Sequence, residues 1–526
     1  DLYTAFEHGD LELELEFMMA KNSNSGIYLQ GRYEIQLFDS WGVLNPKSGD
    51  CGGLYERWDE NRTGNKGFLG VPPIQNVCKA PGLWQKMYIS FEAPKFKNGA
   101  KVANAKINKV ILNGAVILED LELSGPTRGA MSAEEKETGP LRIQGDHGPV
   151  AFRNIKYTVY SNEKAGIKNT TYSYYEGKFK DFNEKSDLKP KKQGNAEGIT
   201  WELGDNKDQV AFVFKADLLI NKEGEYTFSM PLNGSGKLFI DNAMVLNVPE
   251  THRSQIPSAN TRLTAGTHAL KVYYWKDRSW SPPALGLFIS GNGIKKQPLH
   301  LPTSFYPQPP HQTIPLNPAT ETRTFRSFLN FNNKILTHCV SAGFPSKNNV
   351  SVNTQQFSLL QLWKGDFLDA SPAWGERGGS PMEPLGGAFI RFSGRPTLAL
   401  LNDVQSSWPD SIINKSNFKS KGYYLDENRN PHFNYQVEGV TVEDIYYPDE
   451  NNKAITREIK FTATGDVKNL YCLLADNKSV KSEAGGSYVV GDKDYILKVK
   501  TPSVKPVIRD KNNQQELVVP VTFTNG

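Results

Sequence analysis

Residues 24–39 read Asn-Ser-Gly-Ile-Tyr-Leu-Gln-Gly-Arg-Tyr-Glu-Ile-Gln-Leu-Phe-Asp. Side chains alternate between the two faces of a β-strand, so this pattern predicts a strand with one apolar and one polar face. The apolar face is expected to build a core, whereas the polar face suits a polar ligand such as a sugar. Simple contact with solvent is the competing interpretation of that face. The apolar positions are Ile27, Leu29, Tyr33, Ile35 and Leu37, and the polar positions are Tyr28, Gln30, Arg32, Glu34 and Gln36.

Bulk composition points to several soluble β-rich domains. The chain has 526 residues, with 61 basic and 57 acidic side chains and a formal net charge of +4. At roughly 100 to 200 residues per domain, this length predicts about three domains. No run of Lys and Arg would follow a phosphate backbone, and no apolar run approaches the ~20 residues of a membrane-spanning helix. We therefore expect neither nucleic acid as a partner nor a transmembrane segment.

Period-two alternation continues outside residues 24–39 and favours an all-β fold. Asp10-Leu-Glu-Leu-Glu-Leu-Glu-Phe17 is strictly alternating, and Asn113-Gly114 is typical of a two-residue hairpin turn. Ser132-Ala-Glu-Glu135 has the spacing of a capping box and predicts one short helix. The other strands predicted in this block are Ile27 to Phe38, Trp84 to Glu92, Lys106 to Leu112, Ala115 to Glu119, Leu141 to Gln144 and Val150 to Tyr157.

Turn signals and prolines divide the chain into blocks. Short alternating strands separated by Gly-containing turns run through a second block, and seven prolines lie between Pro298 and Pro318. A stretch so rich in proline is expected to act as a stiff spacer. The predicted domains are 1–160, 168–297 and 321–526, with a linker at 298–320.

The four cysteines are Cys51, Cys78, Cys339 and Cys472. None lies in a Cys-x-x-Cys or Cys-x-x-Cys-His arrangement, so we expect no haem and no cysteine-bound zinc. Cys51 and Cys78 belong to one predicted domain. In an exported protein they are suited to form a disulfide, and two separate free thiols are the alternative.

Several ordered motifs run through the first block. They include the stretch 24–40, Pro81-Gly-Leu-Trp-Gln85, Gly125-Pro-Thr-Arg-Gly129 and Gly139-Pro-Leu-Arg-Ile-Gln-Gly-Asp-His-Gly148. Together they resemble the 3-keto-disaccharide hydrolase domain family over almost all of residues 7–157. The resemblance implies a concanavalin-like β-sandwich (jelly roll) in an exported bacterial protein. Leu118 stands where many members have His, and residues 56–70 look like an insertion.

The two later blocks carry other resemblances. Tyr174-Tyr-Glu-Gly-Lys-Phe179 and Gly236-Lys-Leu-Phe-Ile-Asp241 are similar to a PA14 domain, which implies a β-domain often attached to carbohydrate-active proteins. The paired-Asp calcium motif of sugar-binding members is replaced by Asp241-Asn242. The third block, through Trp363-Lys-Gly-Asp366 and Trp374-Gly-Glu-Arg-Gly378, looks like a β-rich, sandwich-type module found beside haem c domains.

A 3-keto glycoside, the substrate that the first resemblance implies, gives the polar residues definite roles. Its carbonyl acidifies the C2 proton, so a base can remove that proton and the group at C1 can leave by elimination. We predict Glu34 or His147 as the base, with Asp146 orienting His147, although a Gly-rich turn such as 143–149 also fits a purely structural role. The predicted substrate-binding residues are Tyr28, Gln30, Arg32, Gln36 and Gln144.

Other ligands are suggested by residue type. Glu34, Asp146 and His147 are candidate ligands for a divalent metal ion that would hold the enolate. Trp275 and Trp280 are candidates for stacking on a glycan in the second block, where burial in a core is the alternative. The sequence thus favours a glycoside-cleaving enzyme with accessory glycan-binding domains. A noncatalytic glycan-binding or cell-surface scaffold protein is the alternative.

Overall fold

The fold is almost entirely β-structure, as the sequence predicts. A computed structural model describes residues 1–161, 163–183, 188–307, 312–375, 378–412 and 417–524. Within these residues the one α-helix is Ser371–Trp374, and no helix has the length and apolar character needed to cross a membrane. The chain divides into two compact units, Asp1–Tyr157 with Gln312–Gly526, and Thr158–His311. The three-domain division of the sequence stays a prediction.

Two antiparallel sheets form a sandwich in the first 160 residues. Leu11, Leu13 and Leu15 are buried while the glutamates between them are half-exposed, because alternate side chains face the other sheet. The ring of Tyr33 lies 5.6 Å from that of Phe91 and joins the two sheets across the core. In spatial order one sheet contains Leu2–His8, Gly139–Ile143, Asn24–Leu29 and Tyr33–Phe38; the other contains Ala115–Leu123, Ala105–Leu112, Gln85–Glu92, Asp10–Met19 and Val150–Tyr160.

The predicted continuous strand from Ile27 to Phe38 is wrong, because the chain reverses within it. Gln30 and Gly31 adopt left-handed backbone conformations, with φ of 52° and 64°. The backbone N–H of Gln30, which the reversal removes from the sheet, donates to His8 Nε2 at 3.0 Å. Residues 24–39 therefore form a hairpin of two strands, Asn24–Leu29 and Tyr33–Phe38.

The short helix predicted from Ser132 is also absent from the described residues. Ser132 Oγ accepts a hydrogen bond from the N–H of Glu134, and the Glu134 carbonyl oxygen accepts one from Arg32 Nε. Glu135 reaches the Tyr33 hydroxyl and Lys101 instead of capping a helix. Tertiary contacts therefore use the groups that a capping box would need.

The predicted turn at Asn113-Gly114 is confirmed. Both residues have positive φ, 51° and 92°, which matches the twist of the flanking strands. Gly114 has no atom within 4 Å of an added Cβ, so the backbone conformation rather than space favours glycine there.

The second unit is a separate pair of sheets with its own aromatic core, which includes Tyr174, Phe212, Phe228 and Tyr274. Short 3-10 turns occur at Trp201–Leu203 and Pro302–Ser304. One sheet contains Lys192–Asn195, Gly166–Glu176, Val210–Ile220, Gly266–Lys276, Leu232–Ile240, Ala243–Thr251 and Ala284–Leu285; the other contains Ser258–Leu263, Gly224–Ser229, Phe288–Gly291 and Ile294–Pro298.

The predicted spacer at 298–320 is packed against folded structure at both described ends. Leu299 and Phe305 are buried in the second unit, and the N–H of Leu316 donates to the Leu368 carbonyl oxygen at 2.8 Å. Pro309 and Pro310 lie outside the described residues.

The C-terminal part of the first unit contains further antiparallel sheets and one 3-10 turn, Ala484–Gly486. Its main core includes Phe344, Phe357, Tyr435 and Tyr446. A five-stranded sheet contains Arg323–Phe331, Lys334–Gly343, Asn348–Asn353, Ser358–Lys364 and Gly387–Arg391. Two four-stranded sheets contain, first, Leu398–Leu400, Val467–Asn477, Gln514–Phe523 and Val507–Lys511 and, second, Phe418–Leu425, Pro431–Val437, Val440–Pro448 and Ile455–Ala463. A three-stranded sheet contains Val480–Glu483, Ser487–Val490 and Tyr495–Lys498, and a two-stranded sheet pairs Leu368–Asp369 with Glu383–Pro384. Short two-stranded pairs in the sandwich are Arg57–Trp58 with Gly67–Phe68 and Lys95–Lys97 with Ala100–Ala103.

Polar contacts join this C-terminal part to the sandwich. Gln75 accepts a hydrogen bond from the N–H of Asp366 and donates one to the Leu385 carbonyl oxygen. The N–H of Ala388 donates to the Asn113 carbonyl oxygen at 2.8 Å. The sandwich and the C-terminal part therefore form one unit through hydrogen bonds to backbone groups, which makes their docking directional.

Candidate active site

The hairpin at residues 24–39 brings Tyr28 and Glu34 together as direct cross-strand neighbours. Gln36 pairs with Gly26 in the same register, so the even-numbered side chains of both strands share one face. The predicted polar face survives the chain reversal because the register pairs even-numbered residues with one another. Glu34 also lies across Gly26, where an added Cβ would stand 2.1 Å from its Oε1.

Glu34 is a buried carboxylate with an incomplete set of partners. Its exposed fraction is 2%, and its Oε2 has no hydrogen-bond partner among the described residues. The Gln36 amide nitrogen, in the orientation that satisfies its neighbours, donates to Glu34 Oε1 at 3.3 Å and to the Ser25 carbonyl oxygen at 2.8 Å. Burial raises the pKa of Glu34 to about 7, although hydrogen bonding by Tyr28 and the charges of Arg142 and His147 act in the opposite direction.

Arg142 supplies a cation on the same face. Its strand, Gly139–Ile143, pairs with the hairpin so that Arg142 lies opposite Tyr28, and its guanidinium carbon is 4.3 Å from the centre of the Tyr28 ring. Arg142 Nη1 donates to the Gly129 carbonyl oxygen at 2.5 Å, and Nη2 lies 2.7 Å from Asp1 Oδ2. Its Nε has no partner within the described part of the chain. Two orphaned polar atoms, one acidic and one basic, therefore lie in the same small region.

The turn at residues 144–148 is tied to the start of the hairpin. The N–H of Gln144 donates to the Gly26 carbonyl oxygen at 2.9 Å, and the N–H of Asn24 donates to the His147 carbonyl oxygen at 3.0 Å. His147 Nδ1 lies 2.8 Å from Asp146 Oδ1 and 3.2 Å from Gln144 Nε2. The hydrogen bond with His147 holds the pKa of Asp146 below its usual value.

These contacts place His147 and Asp146 beside the strand Asn24–Leu29, which pairs with the strand of Glu34 on its other side. The His147 and Asp146 side chains are 55% and 58% exposed, in contrast to the buried Glu34. Because Nδ1 is paired with Asp146, Nε2 is the ring nitrogen available to a ligand. The arrangement combines a buried carboxylate with an exposed imidazole on one rim.

Two predicted substrate-binding residues do not reach this site. Gln30 is fully buried, and its Nε2 donates to the carbonyl oxygens of His8 and Glu137. Arg32 donates from Nε to the Glu134 carbonyl oxygen and from Nη1 to that of Gln30. Both lie in or next to the turn that the sequence pattern did not reveal, and both hold the following loop in place.

Arg142 is the site residue that the sequence reasoning missed. The signal was present, since Arg142 lies two residues before Gln144 in the Gly139–Gly148 motif and therefore on the same face of a strand. The motif does not show which strand lies next to this one in the sheet. Only the observed register brings Arg142 to Tyr28.

The insertion-like stretch at 56–70 lies next to this region. The guanidinium carbon of Arg128 stands 3.8 Å from the centre of the Trp58 ring, while the Arg128 carbonyl oxygen is 3.4 Å from the Tyr28 hydroxyl. The N–H of Arg128 donates to the Glu56 carbonyl oxygen. Trp58 of this stretch, together with Arg128, therefore borders the site.

The predicted metal ligands do not form a metal-binding set. Among the described residues, no group of three or more His, Cys, Asp or Glu side chains is arranged so that it could hold a metal ion. His147 Nδ1 is engaged with Asp146, and Glu34 is buried below them. We therefore derive no chemical step through a metal ion.

The two tryptophans predicted to bind glycan have opposite environments. Trp275 is 5% exposed and packs with Phe182 and Lys237 in the second unit, so its ring faces are covered by protein. Trp280 is 65% exposed, and its ring is nearly parallel to that of His252, with centroids 6.3 Å apart. Only Trp280 offers a surface on which a sugar ring could stack.

The polar and aromatic cluster of the third block is a buried network in its described part. Asp369 accepts hydrogen bonds from the N–H of Ile314 and from the N–H and hydroxyl of Ser371. Trp363 is buried and donates to the Asp366 carbonyl oxygen. Glu376 and Arg377 lie outside the described residues.

Comparison with known proteins agrees with the resemblance seen in the first block. Residues 1–158 match the family model of the 3-keto-alpha-glucoside-1,2-lyase-like domain. No curated protein matched the chain. The match connects the sandwich to a carbohydrate-related family.

Solved structures similar to parts of the chain include two putative glycosyl hydrolases from Parabacteroides distasonis ATCC 8503. The first is 27% identical with a TM-score of 0.23, and the alignment covers 30% of this chain and 66% of that one. The second is 24% identical with a TM-score of 0.21, covering 30% and 81%. The PA14 domain of MpAFP antifreeze protein is 12% identical with a TM-score of 0.20, covering 27% and 90%. TM-scores of this size carry no argument, so the PA14-like assignment stays a prediction.

Replacing Glu34 by Gln is expected to stabilise the protein increasingly as pH rises. The folded-state pKa of about 7 exceeds the ordinary value of 4.5, so the wild-type protein loses stability between these two values as the buried carboxyl ionises. At about 1.4 kcal/mol per pKa unit, the difference in free energy of unfolding between Glu34→Gln and wild type should rise by about 3 kcal/mol from pH 4 to pH 8. Urea denaturation across this range measures it. The exposed Glu119, replaced by Gln, is the control, and an equal rise there would contradict the prediction.

Proposed function

We propose that the first block cleaves the glycosidic bond of 3-keto glycosides by removing the C2 proton, with Glu34 as the base. The observation that supports this most directly is the buried Glu34 carboxylate, whose pKa is raised to about 7 beside Tyr28 and Arg142. A base with a pKa near 7 is ionised in part at neutral pH and still holds a proton well. The family match over residues 1–158 supports a carbohydrate substrate.

The reaction balances with the residues present. The C2–H bond breaks, its proton passes to Glu34, and the electron pair forms an enolate with the C3 carbonyl. The C1–O bond then breaks as the C1–C2 double bond forms, and the departing oxygen takes a proton. Addition of water places OH at C1 and H at C2, so the net result is hydrolysis.

The charges around Glu34 suit this sequence of steps. Arg142 supplies a fixed positive charge next to the position where the enolate oxygen develops its negative charge. The Tyr28 hydroxyl is a second donor close to Glu34. His147 Nε2, held by the Nδ1 contact with Asp146, serves as proton donor to the leaving oxygen.

Substrate access requires a local movement, because Glu34 is almost fully buried. The exposed turn at 144–148 covers this region and is held to the hairpin by a few backbone hydrogen bonds. Displacement of this turn exposes Glu34 to the substrate. When the turn closes again, His147 contacts the bound sugar. Burial of the carboxylate before binding also keeps its pKa high.

We propose that the second unit binds glycan through Trp280. This site also supports the alternative function, in which the protein binds glycan without cleaving it. An exposed indole stacked on His252 offers an apolar platform to the CH face of a sugar ring. Export of the protein belongs to the same proposal, since polymeric glycans lie outside the cell.

Activity toward 3-keto glycosides is expected to rise with pH through about 7, because only ionised Glu34 accepts the proton. The measurement is kcat/KM for a 3-keto disaccharide between pH 5 and pH 9. Glu34→Gln should lower kcat by ~10²- to 10⁴-fold and abolish exchange of the C2 proton with D₂O. Glu119→Gln is the matched control with unchanged activity. Exchange that persists in Glu34→Gln would remove Glu34 as the base.

Arg142→Gln is expected to lower kcat more than it raises KM, because the guanidinium acts mainly on the developing enolate. A loss of ~10²-fold in kcat is the expected scale for one such donor. Steady-state kinetics with the same substrate measures the effect, and circular dichroism verifies the fold. An effect confined to KM would assign Arg142 to ground-state binding.

Trp280→Ala is expected to abolish glycan retention by the second unit, while Met244→Ala, another exposed large side chain of that unit, leaves it unchanged. Affinity electrophoresis of the full chain through gels containing dextran, laminarin or carboxymethyl cellulose compares the two variants with wild type. Retention in any of these gels that is lost only in Trp280→Ala supports the platform. Equal migration of all three proteins in every gel would argue against it.

A further inference from the structure

Cys51 and Cys78 lie in side-chain contact beneath the site, although 27 positions separate them in the chain. Each is 1% exposed, and both are free thiols. Cys78 Sγ lies 3.9 Å from the Phe38 carbonyl oxygen, and a backbone hydrogen bond from Phe38 acts to lower the pKa of the Cys51 thiol. Both sulfurs therefore contact the backbone of Phe38, at the end of the strand that carries Glu34.

The backbones of both cysteines are held by a shared polar network. The N–H of Cys51 donates to Ser40 Oγ at 2.9 Å, and the N–H of Cys78 donates to Asn76 Oδ1 at 2.9 Å. Asn76 Nδ2 in turn donates to the Ser40 carbonyl oxygen at 2.7 Å. The network therefore holds the backbones of both cysteines without using their thiols.

A buried cation from the C-terminal part completes the cluster. Lys364 ends the strand Ser358–Lys364, is 8% exposed, and donates from Nζ to the Cys78 carbonyl oxygen at 3.2 Å. Burial lowers the pKa of Lys364, whereas the Cys78 thiolate raises it. No carboxylate makes a salt bridge with Lys364 among the described residues, and Cys78 exerts a larger charge effect on the pKa of Lys364 than Asp39 does.

The two thiols are therefore not equivalent. The hydrogen bond from Cys51, the charge of Lys364 and a hydrogen bond from Gln85 hold the pKa of Cys78 below its usual value. The same contact and burial raise the pKa of Cys51. This is the arrangement of a dithiol whose reduced form is stabilised, which makes the corresponding disulfide more oxidising.

We propose that Cys51 and Cys78 form a reversible disulfide with a thiol oxidant such as oxidised glutathione, and that Lys364 sets its stability. Because Cys78 is buried, the reaction proceeds when local opening exposes it: the Cys78 thiolate then attacks the glutathione disulfide and releases one glutathione thiolate. Cys51 then loses its proton to that thiolate and attacks Cys78 Sγ, which releases the second glutathione. Two protein thiols are oxidised and one oxidised glutathione is reduced to two molecules of glutathione.

Oxidation of the two cysteines acts on the candidate active site through the residues that follow Cys51 in the chain. The N–H of Gly52, directly after Cys51, donates to the Gln36 carbonyl oxygen at 2.7 Å, and the N–H of Gln36 donates to the Gly53 carbonyl oxygen at 2.9 Å. The disulfide therefore joins the segment beside Gln36 to the segment that contacts the C-terminal part. It also removes the thiolate that balances Lys364. This inference does not depend on the proposed glycoside chemistry.

The test is an equilibrium measurement on the full chain. The protein is incubated to constant composition in buffers of varied reduced and oxidised glutathione, quenched in acid, alkylated and digested without reduction. Mass spectrometry should show one cross-linked peptide pair, Cys51 with Cys78, that appears in a single two-electron transition. Cys339 and Cys472 are equally buried and serve as internal controls that stay alkylatable after unfolding. Absence of the cross-link at every ratio, or cross-links to the control cysteines, would overturn the proposal.

Substitution of Lys364 tests its role separately. Lys364→Gln keeps a donor for the Cys78 carbonyl oxygen but removes the charge, and should favour the disulfide by about tenfold in the equilibrium constant, or about 30 mV. Lys364→Arg keeps the charge and should stay near wild type. Lys347→Gln, which removes a cation paired with Asp366 in the same part of the fold, is the matched control. An unchanged redox midpoint of the Cys51–Cys78 pair in Lys364→Gln, or the same shift in Lys347→Gln, would overturn the role of Lys364. If Lys364→Gln does not fold, a redox midpoint in Lys364→Arg that differs from wild type would overturn that role.

Discussion

The register of one hairpin determines most of what this protein can do. Tyr28 pairs with Glu34 and Gly26 pairs with Gln36 because the chain reverses over Gln30 and Gly31. A shift by one residue would turn Glu34 into the sandwich core and expose Ile35. The buried side of the hairpin, with Ile27, Ile35 and Leu37 inaccessible to solvent, opposes such a shift. Core packing on one face therefore fixes the chemistry on the other.

Burial of Glu34 has opposite effects on stability and on reactivity. A carboxylate removed from water is costly when ionised, and that cost is what raises its pKa to about 7. Arg142, which would offset the cost, divides its donors between the Gly129 carbonyl oxygen and Asp1, so the compensation is partial. A fully paired Glu34 would be more stable and a weaker base. The orphaned Oε2 of Glu34 and Nε of Arg142 are thus the features expected of a site that waits for a ligand.

The sequence was sufficient for the fold class and for the two faces of the hairpin strands, because alternation is a local property. It was not sufficient for the turn, since Gln30-Gly31 lacks the Asn-Gly signal that revealed the hairpin at Asn113-Gly114. Because this turn was not predicted, Gln30 and Arg32 were assigned to the site. In the structure they hold the loop at 132–139. Arg142 was missed for a related reason, since the neighbour of a strand in a sheet is set by long-range pairing. Long-range contacts of Arg32 and Tyr33 likewise override the local capping box at Ser132.

The C-terminal part adds a constraint that local patterns could not show, because its docking surface depends on backbone groups and on the close approach of two glycines. An added Cβ at Gly365 would lie 2.2 Å from Gln75 Oε1, and one at Gly387 would lie 2.7 Å from the Asn113 carbonyl oxygen. Such close approach brings Lys364 into the sandwich, where its charge lies against Cys78 rather than in water. A buried ammonium is tolerated only where a partner offsets its desolvation, so the docking of the C-terminal part and the ionisation of Cys78 favour each other. Docking and thiol chemistry are therefore linked through Lys364, and any change in one shifts the equilibrium of the other.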